Sequence, residues 1–379
     1  MSHLTSKPYT ELIKRLNKYQ IGAPDTHEIR KILEILYTKE EAFVGSKFPL
    51  GPATLEELAH KTDIAQGRLV HILEGMAQKG IVMDFRPGDT HFFILTPTIF
   101  GFFEFTFMRL NSDLPLGELA QLMEQAMLRE MGSEFFGSKT PMSRTLIYEK
   151  NLPQSKVMSY EQVSHLIKTA PYLSLQACYC RRKAQHLGRK CTTPMDVCMG
   201  LGHSADYLVR RGFAQAISVD EMLRVLDKTE ELGLVHVSDN VQNEAAFICN
   251  CCHCCCELLR GINEFNIIGS VSPTRYMSRI DPAKCNGCGV CIQRCQVRAI
   301  RQSYGKQAIV DQQRCIGCSV CASFCPQKAI QMADRPHPPH IPKNQVIRNI
   351  KIASEKGRLR HFLFYMAGLF LRGGIKGWK

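Results

Sequence analysis

The sequence predicts an α+β protein of several domains. Three observations carry that prediction: helical periodicity followed by a hairpin in the first third, a dense band of cysteines in the second half, and a basic segment at the end. The chain has 379 residues, 45% apolar and 22% charged, a globular composition long enough for two or three domains. All 18 cysteines lie between Cys178 and Cys325. The net charge of +13 is equally uneven: residues 1–110 carry 13 basic against 13 acidic side chains, and residues 336–379 carry nine against one.

Residues 1–110 are expected to form the first domain. Ile29, Ile32, Leu33 and Leu36 recur at i, i+3, i+4 and i+7, which gives one helix a buried face. Thr54 caps a short helix carrying Leu55, Leu58 and Ala59, a turn runs from Asp63 to Gly67, and Leu69, Ile72, Leu73 and Met76 define a helix that stops at Gly80. Residues 81–85 and 91–95 are expected strands, joined by a Pro–Gly turn. Helix, turn, helix, hairpin is the order of a winged-helix-like domain. Such a domain commonly lays its second helix in the major groove of DNA, but the balanced charge of residues 1–110 supplies no basic face, so a docking or structural role is the expectation. The run Phe100, Phe102, Phe103, Phe105 and Phe107 and the stripe Leu119, Leu122, Met123, Met127 and Met131 are expected in the core. A helical connector is expected over 111–170, with 132–158 as a link between domains.

Residues 171–270 form a cysteine-rich α/β module. Its ten cysteines fall in two groups, Cys178, Cys180, Cys191 and Cys198, then Cys249, Cys251, Cys252, Cys254, Cys255 and Cys256. The first residues lack the apolar stretch of a secretory signal, so the thiols are expected to stay reduced and to serve as metal ligands. Ser218 and Glu221 form a capping box that opens a helix to about Leu232, ended by Gly233, so a folded segment separates the two groups, which are expected to converge. Alternation along an extended run puts Cys249 and Cys251 on one face and Cys252, Cys254 and Cys256 on the other, so either the groups share ligands or several cysteines are not ligands. The simplest reading takes Cys178, Cys180, Cys191 and Cys198 as ligands, with the second group supplying others; structural cysteines or a zinc site are the alternatives. His253 is expected to be a polar loop residue, with a ligand role as the alternative. Arg181 and Arg182 either offset the charge of a metal centre or form a solvated basic pair.

Cys285-x2-Cys288-x2-Cys291-x3-Cys295 recurs thirty residues later as Cys315-x2-Cys318-x2-Cys321-x3-Cys325-Pro326. Three thiolates at these intervals let one loop wrap three corners of an iron–sulfur cube, while the fourth ligand comes from the other run. One cube takes Cys285, Cys288, Cys291 and Cys325, and the other takes Cys315, Cys318, Cys321 and Cys295. Gly287, Gly289 and Gly317 let the backbone curl close to the sulfurs. Zinc ribbons and disulfides are the alternatives, but this spacing overfills a zinc tetrahedron from one loop. Residues 280–330 resemble a bacterial-type two-cluster 4Fe-4S ferredoxin domain, expected over 271–335, and the resemblance implies two 4Fe-4S clusters and one-electron transfer. Gln296 stands where that family usually has proline, whereas Cys325-Pro326 keeps it.

Residues 336–379 complete the chain as a proline-rich linker (Pro336, Pro338, Pro339 and Pro342) and a basic amphipathic C-terminal helix over 345–372. Its apolar run, 362–371, is too short to span a bilayer. It is expected to lie on a membrane surface, enter a partner's groove, or pack back on the protein. Taken whole, the chain resembles a group of 4Fe-4S-binding proteins of anaerobic bacteria. That resemblance implies electron transfer; with the residues read above, the expectation is a cytoplasmic electron-transfer protein, peripheral at the inner membrane surface if the tail binds there, with a redox partner protein and at least one further iron–sulfur cluster in the middle module. No Ser-His-Asp set, P-loop or dinucleotide fingerprint is evident, so no catalytic residue is assigned and the protein is expected to be a component of an oxidoreductase system. A redox-sensing transcriptional regulator and a metalloenzyme with an unusual cluster are the rival readings.

Overall fold

The computed structural model describes residues 2–86, 88–109, 113–152, 157–189, 191–305, 307–360 and 363. The chain divides into two compact units, one comprising residues 1–139, 182–189 and 349–379 and the other residues 140–181 and 190–348. The middle module and the paired cysteine repeats both lie in the second of these units.

In the first unit, helix His27–Leu36 turns Ile29, Ile32, Leu33 and Leu36 inward, all at most 1% exposed. β1 (Ala53–Thr54) precedes helices Leu55–Thr62 and Gln66–Lys79, and β2 (Val82–Phe85) and β3 (Phe92–Leu95) follow. Thr54 and Glu57 close a reciprocal capping box, and Gly80 ends the second helix in the left-handed region with φ 76°. The sheet order is β1-β3-β2, so the expected hairpin gains a two-residue third strand too short to read from periodicity. Phe102, Phe103, Phe105 and Phe107 are buried, as are Leu119, Met123, Met127 and Met131, which is the core role expected of both runs. Lys183 donates to Glu124 at 2.8 Å, and Glu134 accepts from Lys356 and Arg358, so the two later segments are held by ion pairs. The expected C-terminal helix is present over Gln345–Glu355, while its apolar run apart from Leu363 lies outside the described residues.

In the second unit, β4 (Ser143–Thr145) lies within the stretch expected to be a link. Three polar residues give no strand signal, but the largest of them is satisfied in the fold: Arg144 is fully buried, donating to the carbonyls of Asp239 and Val241 at 3.1 Å and to that of Tyr160. With β5 (Leu173–Ala177), β6 (Asp196–Leu201), β7 (Gln215–Ala216), β8 (Val235–Asp239) and β9 (Phe247–Cys251) it forms a six-stranded antiparallel sheet in the order β4-β8-β9-β6-β5-β7. Met199, Leu201 and Ile248 pack with Val163 and Ile167 of helix Val163–Thr169 and with Met222 and Leu226 of helix Val219–Glu231. The Ser218–Glu221 capping box opens the second of these helices. Strands have a two-residue period, so Cys198 and Cys249, next to Met199 and Ile248, face away from that core.

β10 (Tyr276–Ile280) pairs with β13 (Ile330–Asp334), and β11 (Ile300–Gln302) with β12 (Ala308–Val310), both antiparallel. The expected proline linker is tied down in the same unit: the Gln242 and Asn243 N–H groups donate to the Pro342 and Lys343 carbonyls, and Arg348 donates to Asp239 at 2.7 Å. Among the described residues no helix is long and apolar enough to cross a membrane.

Candidate metal centres

The two cysteine repeats adopt the same local structure thirty residues apart. Asp281 and Asp311 open the loops, each accepting through its backbone carbonyl from the N–H of the first cysteine, Cys285 or Cys315. Each Asp side chain also accepts from a loop N–H, that of Ala283 or Gln313, at 3.0 Å. Gly287 and Gly317 both take positive φ, 74° and 73°. The next turn residue is Gly289 in one copy and Ser319 in the other, again at positive φ. Short helices Val290–Arg294 and Val320–Ser323 then carry the third cysteine, and Ala299 and Ala329 donate their N–H groups to Cys295 Sγ and Cys325 Sγ at 3.2 and 3.3 Å.

This symmetry sets the fourth cysteine of each run against the loop of the other. Cys291 feels Cys285 and Cys325, and a recess is lined by Cys285, Cys288, Cys291, Cys325 and Pro326. Cys318 and Cys321 instead feel Cys295 and Cys315. Cys321 also feels Cys291, so the two sets adjoin. Burial pushes the thiols of Cys291, Cys295 and Cys318 up and that of Cys321 up to about 12, with neighbouring sulfurs adding to the rise, so these sets call for cationic groups that hold thiolates. The donor sets therefore fit iron–sulfur clusters. Cys288 is exposed at the outer set.

Residues 278–332 match the 4Fe-4S dicluster domain family. The module is thus an iron–sulfur one, and the match covers it without extending to the rest of the chain. No curated protein and no solved structure matches the chain.

Outside the match, the structure divides the ten remaining cysteines in a way the sequence did not indicate. Cys178 neighbours Cys180 and Cys198, Cys180 neighbours Cys256, Cys198 neighbours Cys249, and Cys251 neighbours both Cys249 and Cys256, which closes a ring of six thiols. The sheet explains the ring: Cys249 and Cys251 share one face of β9, Cys198 lies on adjacent β6, and Cys178 follows β5. The chain then turns at residues 253–255, ending the extended run on which alternation had been projected, so Cys256 joins Cys249 and Cys251. Cys252, Cys254 and Cys255 gather instead with Cys191, all four sulfurs lying within 4.8 Å of one another. Cys191 thus gathers with the second group of cysteines, while Cys178, Cys180 and Cys198 belong to the ring.

Arg181 lies against both sets and is 2% exposed. Its Nη2 donates to the Asn250 carbonyl at 2.7 Å and its Nη1 to that of Pro194 at 3.2 Å, while its Nε has no partner. Burial works against its charge, but Cys178, Cys252, Cys198 and Cys251 outweigh that and raise its pKa. One sulfur in each set is poised as an anion. Cys180 and Cys198 donate to Cys178 and hold it well below the usual thiol range, and Cys255 donates to Cys252, which with Arg181 pulls it down to about 4. His253 is exposed, as expected of a loop residue, and both its N–H and its Nδ1 are satisfied by Gln296 Oε1, at 2.9 and 3.0 Å.

Proposed function

We propose that the protein is an iron–sulfur electron carrier that passes single electrons to or from a partner oxidoreductase. One 4Fe-4S cluster is assigned to Cys285, Cys288, Cys291 and Cys325, a second to Cys315, Cys318, Cys321 and Cys295, and a further iron–sulfur centre to the six-thiol ring. The observation that carries this reading is the crossed, adjoining pair of cysteine sets. A 4Fe-4S cluster supplies a one-electron couple whose potential follows its burial and hydrogen bonds. The chain contributes those hydrogen bonds: the Ala299 and Ala329 N–H groups on Cys295 and Cys325, and Ser278, whose Oγ lies 3.1 Å from Cys321 Sγ.

The two sets have different surroundings, which suits a carrier with an outer and an inner end. Exposed Cys288 gives the outer set a face for a partner. The inner set borders the segment after β4, where the Tyr148 N–H donates to the Cys318 carbonyl at 3.4 Å and Asn151 Nδ2 donates to Ser319 Oγ and Ser323 Oγ. The regulatory and enzymatic readings gain no support from these features.

The test is anaerobic purification with iron and sulfide counts and low-temperature EPR. The paired sets should contribute about eight irons and eight sulfides and become paramagnetic with dithionite. Cys325→Ser should strip the cluster of the Cys285–Cys291 loop and spare the other, and Cys295→Ser should do the converse. Dithionite reducing no centre would remove the carrier role, and Cys325→Ser emptying its own loop's site would remove the crossed assignment.

A further inference from the structure

We propose that Cys191, Cys252, Cys254 and Cys255 form a mononuclear tetrathiolate site for one zinc- or iron-sized divalent cation, separate from every iron–sulfur cluster. The spacing of the sulfurs carries this. Cys252 and Cys254 stand 3.5 Å apart, Cys254 and Cys191 3.6 Å, Cys254 and Cys255 3.7 Å, and Cys191 and Cys252 3.8 Å. A tetrahedron with metal–sulfur bonds of about 2.3 Å has edges of about 3.8 Å. Ligands of a 4Fe-4S cube sit on four different irons, and the core between them holds their sulfurs about 6 Å apart.

The same molecule offers an internal contrast. Among the described residues this is the one set of three or more potential ligands whose donor atoms all lie within 4.8 Å, so the eight cysteines of the paired repeats are spaced more widely. Disulfides do not account for the close approach, since each of these separations is well beyond the bond length of about 2.05 Å and all eighteen cysteines are free.

The chain builds the set from two remote pieces. Cys252, Cys254 and Cys255 come from the turn after β9, and Cys191 comes from a loop 61 residues earlier. Four thiolates around one divalent ion leave a net double negative charge, and the buried guanidinium of Arg181 beside Cys252 offsets part of it. Cys252 and Cys255 are buried while Cys191 and Cys254 are half-buried, so the set reaches the surface at these last two sulfurs. Four sulfur donors in a tetrahedron select zinc or iron over harder cations. The site stands whether or not the paired clusters carry electrons.

The full-length protein, purified without oxygen, tests this by metal analysis of single variants. Cys254→Ser and Cys191→Ser should each lose one equivalent of zinc or iron, with no loss of acid-labile sulfide and with the EPR of the paired clusters unchanged. If the ion is iron, oxidation gives the high-spin ferric signal of a tetrathiolate; if zinc, the site is silent and exchange with cobalt(II) gives intense visible d–d bands. Loss of about four irons with matching sulfide would show a cube on these sulfurs and overturn the proposal. So would unchanged metal content. Should a variant lose its paired clusters through misfolding, cobalt exchange into the wild-type protein decides: absence of tetrahedral thiolate bands, together with absence of the ferric signal, overturns the site.

Discussion

At the scale of single residues, Gln296 shows how a departure from a motif acquires a purpose. Proline at this position would rigidify the turn after the fourth cysteine but could offer no side-chain hydrogen bond. Gln296 accepts twice from His253 through Oε1, donates from Nε2 to the Gly233 carbonyl at 3.0 Å, and accepts at its own carbonyl from Asn263. It thus links the end of the first repeat to the segment between Cys252 and Cys254. Gln296→Pro is expected to keep all eight paired ligands and to destabilise the second unit by about 1–3 kcal/mol, the cost of several lost hydrogen bonds. Anaerobic chemical denaturation measures it, and a midpoint equal to wild type would show that the links contribute nothing.

At the scale of elements, the repeat makes its own comparison. Gly317 lies at φ 73°, and a Cβ there would collide with Thr274 Oγ1 and the Tyr276 carbonyl. Gly289 is also at positive φ, but a Cβ there meets nothing, and the equivalent position of the other loop already holds Ser319. Gly289→Ala is therefore expected to cost about 1 kcal/mol of backbone strain, while Gly317→Ala adds a steric clash and reduces cluster retention in the inner set. Iron retained after gel filtration separates the two, and equal retention would show that the loop relaxes around the clash. β4 teaches the complementary lesson, since a three-residue strand of Ser, Arg and Thr has neither the length nor the alternation that betrays a strand. It forms because β8 supplies its hydrogen bonds and carbonyls capture the Arg144 guanidinium.

At the scale of the whole molecule, every cysteine belongs to the second unit and none to the first. The first unit is held by apolar packing around Leu12, Leu33 and Phe107. The paired repeats have little such core, a cluster built on Cys291, Ile300, Ala308, Cys321 and Ile330 in which two of the five members are themselves cysteines. Removing the clusters with an oxidant and chelator should therefore open 278–332 to proteolysis while the helices of the first unit stay protected. An unchanged cleavage pattern would show that the repeats fold without metal. The sequence by itself determined the paired repeats and their glycines, along with the buried faces of the long helices, because those features depend on spacing within a few residues. The division of the ten other cysteines into a ring of six and a set of four was decided only by tertiary structure, as was the burial of Arg181 between them. Both depend on β5, β6 and β9 lying side by side and on a turn that ends β9, and no local period in the chain encodes which strands become neighbours.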